Sequence, residues 1–316
     1  MNGLISIIRL TRPINLLIIA ATMYAVRWLL ITKLLADQPQ IQELAFPEFL
    51  FFLSVCVMVL LAAAGNIIND YFDQKVDRIN RPERVIVGKL VKRRVAIVLH
   101  QIFNITAVLI TLFLAAKSGM WWVLGVPVSM ATVLWIYSPV LKKNPFVGNL
   151  AVALCVAVVP WWAGLFELET LRHSQWDALF QPDRLFAALN YWIWAYVFFA
   201  FLLTLSRESV KDMEDLEGDR AEMYKTLPLV WGESRTRFYS LILQVICICG
   251  TSYLLWITFA KLDSERNFIF AVLGLILIQI ITAIKTYNAT SKADYHSSSM
   301  WHKWVMAAGL CVLFFA

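Results

Sequence analysis

The chain is a succession of apolar stretches close to 20 residues long, separated by short polar connections. A helix needs about 20 mostly apolar residues to cross the hydrocarbon of a bilayer. Candidate spans are 13–35, 46–69, 95–116, 120–137, 147–166, 185–206, 238–260, 268–287 and 301–316. Composition agrees, because 60% of the 316 residues are hydrophobic and only 16% are charged, against about 45–50% and about 25% in ordinary soluble domains. The surplus apolar surface must face lipid. The expected fold is an all-α integral membrane protein, a bundle of about nine transmembrane helices forming one domain over residues 1–316. The five cysteines lie in apolar runs with no zinc or disulfide spacing and read as packing residues. The four histidines (His100, His173, His296 and His302) form no metal-ligand pattern.

Charge gives the orientation. The N-terminus and the connections after spans two, four, six and eight, with the helix ends beside them, carry 21 of the 28 Lys and Arg. The positive-inside rule puts that side in the cytoplasm and, with nine spans, the C-terminus outside. The formal charge of +6 is thereby explained by the membrane and not by nucleic acid. The first apolar run reads as a span, not a cleavable signal, and the default location is the cell (plasma) membrane.

Two connections hold most of the charge, and both continue directly from a span. The first begins Asn66-Ile-Ile-Asn69-Asp70-Tyr71-Phe72-Asp73-Gln74-Lys75-Val76-Asp77-Arg78, and the second reads Glu208-Ser-Val-Lys211-Asp212-Met-Glu-Asp215-Leu-Glu-Gly-Asp219-Arg220. A shift of 142 residues superposes Asp70, Asp73 and Asp77 on Asp212, Asp215 and Asp219, and Arg78 on Arg220. Carboxylates at i, i+3 and i+7 share one face of a helix. One such run is an ordinary solvated helix end; two of matching spacing, at the cytoplasmic ends of helices 2 and 6, call for a function.

Carboxylates crowded beside lipid repel one another and are costly to desolvate unless paired. Mg²⁺ removes that cost, takes oxygen ligands and commonly bridges carboxylates to substrate phosphates. Facing stripes could hold two or more ions with a diphosphate between them, assisting departure of the diphosphate from an allylic carbon.

These residues are familiar. Asn69-Asp70-x-x-Asp73-x-x-x-Asp77, with Arg78-Ile-Asn80-Arg81-Pro82, resembles the first signature of the UbiA family of intramembrane prenyltransferases. Lys211-Asp212-x-x-Asp215-x-x-Gly218-Asp219, with Lys225-Thr226-Leu227-Pro228, resembles the second. Arg12-Pro13-x-Asn15, Tyr137-Ser138-x-x-Leu141-Lys142 and Gly148-Asn149 extend the likeness over residues 9 to 232. The resemblance implies nine spans and Mg²⁺-dependent transfer of a prenyl group from a prenyl diphosphate to a lipid-phase acceptor. The short interval from Asp77 to Arg81-Pro82 and the run Arg207 to Asp219 are most similar to the digeranylgeranylglyceryl phosphate synthase branch, in which the acceptor is the hydroxyl of geranylgeranylglyceryl phosphate. The family usually continues Arg-Pro-x-Pro-Ser-Gly where this chain has Arg84-Val85-Ile86-Val87-Gly88-Lys89. A glycine commonly stands where this chain has Glu222-Met223-Tyr224. An aromatic or porphyrin-derived acceptor is therefore the alternative.

The expected metal ligands are Asn69, Asp73, Asp77, Asp215 and Asp219. Asp70 and Asp212 flank them, as further ligands or as the base that takes the acceptor's proton. Arg78, Lys142, Lys211 and Arg220 are candidates for phosphate oxygens, with positive-inside anchoring as the plainer reading of Arg78 and Lys142. Asn66 either orients a ligand or glues two helices, and Tyr137 either faces a carbocation or marks the interface. A transporter also pairs its halves, but its charges gather at the midplane; here they gather at one face.

Overall fold

The computed structural model describes residues 3–36, 38, 43–174, 176, 179–260 and 266–313. They form fourteen α-helices: α1 (Gly3–Leu10), α2 (Pro13–Ala25), α3 (Thr32–Leu35), α4 (Glu48–Phe72), α5 (Gln74–Asn80), α6 (Arg93–Ser118), α7 (Gly125–Tyr137), α8 (Val147–Ser174), α9 (Pro182–Glu214), α10 (Leu216–Ala221), α11 (Leu227–Trp231), α12 (Glu233–Ala260), α13 (Arg266–Asn288) and α14 (Lys292–Val312). No strand occurs among the described residues, only one isolated bridge between Val87 and Val91.

Among the described residues, seven stretches are long and apolar enough to cross a bilayer: Pro13–Leu35, Glu48–Phe72, Arg93–Ser118, Val147–Ser174, Pro182–Glu214, Glu233–Trp256 and Phe268–Asn288. The chain is a multi-pass membrane protein. The two remaining expected spans differ from the rest. The fourth is the shorter apolar helix Trp121–Tyr137, which opens with a 3₁₀ turn at Trp121–Leu124. The ninth falls in α14, whose first turns are polar (Lys292-Ala-Asp294-Tyr-His296); residues 314–316 lie outside the described residues.

The helices form two compact units, Met1–Leu141 with Val158–Tyr196, and Lys142–Ala157 with Val197–Ala316. In the first, α4 packs along α6 and against α7 and α2. Gly65 permits the α7 approach: a Cβ there would stand 3.0 Å from Leu134 Cδ1. Leu10, Ile67, Val87 and Ala96 close a small core at the end of α4 that bears the acidic motif.

The other end of α4 holds a buried charge. The first span passes through a π-helical turn, Val26–Ile31, in which the N–H of Thr32 reaches back to the carbonyl of Arg27. Arg27 is 1% exposed. Its Nη1 lies 3.0 Å from Glu167 Oε2 and its Nε 3.2 Å from Glu48 Oε2. The guanidinium stacks 4.4 Å from the Phe51 ring centroid and donates to the Phe46 carbonyl. Glu167 also accepts from the backbone N–H groups of Ala45 and Phe46. A buried guanidinium is tolerable only when its charge is balanced and most of its N–H groups are met; Nε, within ion-pair distance of Glu48, makes no hydrogen bond.

The second unit has an apolar core around Leu202, Leu205, Leu243 and Val305. A polar seam runs beside it. Ser206 Oγ is 2.8 Å from Ser240 Oγ and 2.9 Å from His302 Nε2. His302 Nδ1 is 2.9 Å from the Ser298 carbonyl, and Thr286 Oγ1 is 2.7 Å from Ser298 Oγ. Gln244 Nε2 donates to Thr286 Oγ1 at 3.1 Å. Helices in lipid gain little from hydrophobic contact with one another, so such bonds fix their register. His302, which the sequence leaves without a role, is part of this seam.

Two tests follow from these contacts. Glu167→Ala strands a buried guanidinium and should cost about 3–5 kcal/mol, read as a lower unfolding midpoint in detergent; Glu167→Gln keeps one acceptor oxygen, enough for one of the two backbone N–H groups, and should cost less. At α14, Ser291 accepts from the Asp294 N–H and Asp294 from the Ser291 N–H, a reciprocal cap. Hydrogen bonds from the Ser291 hydroxyl, then from the Ser291 and Thr290 N–H groups, lower the Asp294 pKa. A depressed pKa means a contribution fully present above the unfolded value, about 3.9, and lost as pH falls through the folded one. The protection factor of amides in the first turn of α14, corrected for the intrinsic pH dependence of exchange, should therefore be steady from pH 7 to 5 and fall in more acidic solution.

Candidate functional site

Each acidic motif begins as the last turns of a long apolar helix and then breaks at the same place. In the first, α4 ends at Phe72, Asp73 sits at the joint with φ −78° and ψ 3°, and α5 follows. In the second, α9 ends at Glu214, Asp215 sits at the joint with φ −95° and ψ 8°, and α10 follows. Both pairs of angles fall at the edge of helical space. The backbone ladder nevertheless continues: Asp73 N–H bonds Asn69 O at 2.9 Å and Asp77 N–H bonds Asp73 O at 2.8 Å, while Asp215 N–H bonds Lys211 O at 2.9 Å and Asp219 N–H bonds Asp215 O at 3.1 Å. The unbroken helix face expected from spacing is thus a helix with a one-residue joint, and its register is kept. The internal repeat extends from side chains to backbone dihedrals.

Asn66, Asn69 and Asp70 lie on the last two turns of α4, Asp77 and Arg78 on α5, Lys211 and Asp212 on α9, and Asp219 and Arg220 on α10. Asp73 and Asp219 are buried, at 2% and 1% exposure. Asn69, Asp70, Asp77, Asp212 and Asp215 are half-buried, and Arg78 and Arg220 are exposed. Tyr137 is the last residue of α7, and Lys142 lies in the 3₁₀ turn Leu141–Lys143. Between them, Ser138 Oγ approaches Asn69 Oδ1 at 3.5 Å, the edge of hydrogen bonding.

The first carboxylate of each motif is held from another helix. Arg12 Nη2 meets Asp70 Oδ1 at 2.6 Å. Arg12 has φ 55° and ψ 65°, with Pro13 opening α2, a left-handed corner that costs a non-glycine residue roughly 1–2 kcal/mol. Asn66 Nδ2 donates to the Thr11 carbonyl at 2.9 Å, so α4 holds this corner twice. Of the two readings of Asn66, this contact is the interhelical one. In the second unit Asn149 Nδ2, in the first turn of α8, donates to Asp212 Oδ2 at 2.8 Å. Equivalent carboxylates thus receive different partners: a guanidinium pairs with Asp70, whereas a neutral amide donates to Asp212. One turn before Asp212, Glu208 takes Arg207 at 2.6 Å and Lys211 at 3.8 Å.

Arg12 and Asn149 had no assigned role in the sequence reading. The signal was there, since both stand in the short matches outside the acidic runs, but neither match says which carboxylate it serves.

The loops after the motifs are folded back. Gly88 (φ 82°) donates to the Val91 carbonyl at 2.8 Å, and a Cβ there would lie 2.9 Å from Gln74 Oε1. After the second motif, Tyr224 N–H bonds Asp219 O at 2.9 Å and Lys225 N–H bonds Lys143 O at 3.0 Å, drawing in the turn that carries Lys142. Met223, in the stretch where relatives commonly place glycine, has φ 55° and is 87% exposed.

The donors are hard oxygens suited to Mg²⁺. Among the described residues, no group of three or more His, Cys, Asp or Glu is set to hold a metal by itself. Mg²⁺ typically uses one or two carboxylates together with waters and substrate phosphates.

The profile of the UbiA prenyltransferase family matches residues 17–307. The chain belongs to that family. It is a prenyltransferase, an enzyme that transfers alkyl groups other than methyl. Among curated relatives, it is 32% identical to the digeranylgeranylglyceryl phosphate synthase of Methanosphaera stadtmanae over 79% of each chain. It is 33% identical to that of Thermococcus sibiricus over 77% of this chain and 75% of the relative. In fold it is similar to a UbiA homologue from Aeropyrum pernix, with TM-score 0.63, 15% identity and 93% and 97% of the two chains covered. A UbiA homologue from Archaeoglobus fulgidus bound to DMAPP and Mg²⁺ gives TM-score 0.55 at 17% identity, covering 98% of this chain and all of the other.

The left-handed residue gives a test. Met223→Val puts a β-branched side chain at positive φ and should destabilise by about 1 kcal/mol, whereas Met223→Gly should be neutral or stabilising. Thermal unfolding of the two variants reads the difference.

Proposed function

We propose that this prenyltransferase moves the prenyl group of a Mg²⁺-bound polyprenyl diphosphate to a lipid-phase acceptor, the hydroxyl of geranylgeranylglyceryl phosphate, in ether-lipid synthesis. The observation that carries the reading is the repeat of one construction, an apolar helix ending in a carboxylate, a one-residue joint that is itself a carboxylate, and a third carboxylate one turn on. A single such end is a surface feature; a repeat of side chains and dihedrals together is a binding device. Asn69, Asp73, Asp77, Asp215 and Asp219 would supply the oxygens for Mg²⁺. Bound there, the ion neutralises charge developing on the departing diphosphate.

Lys142, Lys211, Arg78 and Arg220 are the cations available for phosphate oxygens. The exposure of the two arginines suits contact with a headgroup arriving from outside the helices. Asp212 is the better candidate for the base, because its Asn149 partner is a neutral amide that orients it without forming an ion pair. Asp70, paired to Arg12, is better suited to fixing the α1–α2 corner. Attack by a hydroxyl on an allylic carbon releases one proton, and a carboxylate beside the acceptor can take it. Tyr137, at the end of α7, is placed in this reading to face the carbocation. The ether-lipid acceptor is supported by the likeness to synthases of digeranylgeranylglyceryl phosphate. The cytoplasmic orientation of the motif ends rests on the asymmetry of Lys and Arg, and the plasma membrane is the corresponding location.

Asp73→Ala and Asp215→Ala should each abolish prenyl transfer by purified protein while leaving its unfolding midpoint in detergent intact, and EDTA should reproduce the loss in the wild type. Incubation with radiolabelled geranylgeranyl diphosphate and a panel of acceptors tests the substrate. Product with geranylgeranylglyceryl phosphate alone supports the assignment; product with an aromatic acid or a porphyrin-derived alcohol alone overturns it.

A further inference from the structure

The positive charge of this protein is concentrated in one place. Between Lys75 and Arg94 stand eight cations (Lys75, Arg78, Arg81, Arg84, Lys89, Lys92, Arg93 and Arg94) and two acids, Asp77 and Glu83. These twenty residues carry six net positive charges, equal to the formal charge of the whole chain; the other 296 residues hold twenty cations and twenty acids. The corresponding stretch of the second half, 207–237, has six cations and eight acids and is net negative. Membrane orientation alone does not account for this difference, because both stretches are expected on the same side.

Structure makes the segment a surface. Its inner side is fixed: Val85, Val87 and Val91 are buried, and Val87 packs with Leu10, Ile67 and Ala96. Gly88 turns the chain so that Lys89 and Leu90 stand outward. Of the eight cations, all but Arg81 are exposed. Arg93 stacks on Tyr71 at 4.7 Å, and Arg84 meets exposed Glu83 only at 3.8 Å. Large apolar side chains lie exposed among them, Ile79 and Leu90 at 46% and Val95 at 40%. Both ends of the segment join apolar spans, Glu48–Phe72 and Arg93–Ser118, so it sits where hydrocarbon gives way to headgroups.

We propose that residues 75–95 form a docking surface for the anionic headgroups of bilayer lipids, with Lys89, Lys92, Arg93 and Arg94 on phosphate oxygens and Leu90 and Val95 in the acyl boundary. Basic side chains at a membrane surface attract anionic lipid additively, and arginine holds phosphate in a fork. Apolar residues interleaved with the cations give the surface depth as well as charge. The surface adjoins Asp77 in the chain, so it would gather phosphate-bearing lipid beside the first motif. It does not depend on which acceptor the enzyme uses.

The full-length protein, reconstituted in phosphatidylcholine bilayers, reads this directly. Electron spin resonance of spin-labelled phosphatidylglycerol, compared with spin-labelled phosphatidylcholine, gives the fraction of each lipid immobilised on the protein. A several-fold preference for phosphatidylglycerol is expected in 50 mM salt. It should fall towards one in 1 M salt, where screening acts within about 3 Å, and in Lys89→Gln/Lys92→Gln/Arg93→Gln/Arg94→Gln. A control on the net-acidic stretch, Lys225→Gln/Arg235→Gln, should retain the preference. Should the fourfold variant fail to insert correctly, Arg84→Gln/Lys89→Gln and the salt titration of the wild type carry the test. Equal immobilisation of both lipids at low salt, or a preference that the control loses as fully as the segment variants, overturns the proposal.

Discussion

Charge in an apolar medium is the constraint around which this protein is built. An ionised side chain far from water is expensive unless another group balances it, and charged residues make up only 16% of the chain. They are placed accordingly. Carboxylates gather at the ends of α4 and α9, where Asp70, Asp77, Asp212 and Asp215 are half-buried and Asp73 and Asp219 buried. The one guanidinium buried within the first span is met by Glu167, Glu48, a backbone carbonyl and an aromatic face. In the second unit Ser206, Ser240, His302, Ser298 and Thr286 satisfy one another in a polar seam.

The acidic ends show how the same constraint becomes chemistry. A row of carboxylates is unstable by itself, and a divalent cation, as proposed, would relieve that instability. The helix joints at Asp73 and Asp215 keep the ladder of backbone bonds while releasing one residue from helical geometry. The carboxylate at each joint is thus carried on a rigid helix without being confined to its regular face. The partners of the first carboxylates then divide their labour. A guanidinium pairs with Asp70 at the corner of Arg12, while a neutral amide donates to Asp212, the residue proposed as the base.

Loops beside these ends carry the departures from the family pattern, and the backbone explains part of their cost. Gly88 occupies a left-handed position in which a Cβ would collide with Gln74. Met223 occupies a left-handed position without that freedom, yet its side chain is almost wholly exposed and meets no steric obstacle. The chain tolerates a modest local strain there, offset by the bonds of Tyr224 and Lys225 to Asp219 and Lys143.

Apolar run length alone was enough to establish a helical membrane protein, because the thickness of hydrocarbon fixes the number of residues a span requires. The spacing of Asp70, Asp73 and Asp77 and its copy at Asp212, Asp215 and Asp219 likewise needed no coordinates, since helical periodicity puts such residues on one side. Sequence also marked Arg12 and Asn149 as members of short motifs. What it could not supply was their partners, because contacts across 58 and 63 residues depend on how helices pack and not on local periodicity. The same is true of Arg27, whose ion pair with Glu167 spans 140 residues, and of His302 in the polar seam. Hydropathy counts apolar residues but does not see a helix joint, a π-helical turn or a 3₁₀ start. For that reason the breaks at Asp73 and Asp215, and the short helix at Trp121–Tyr137, emerged only in the folded chain.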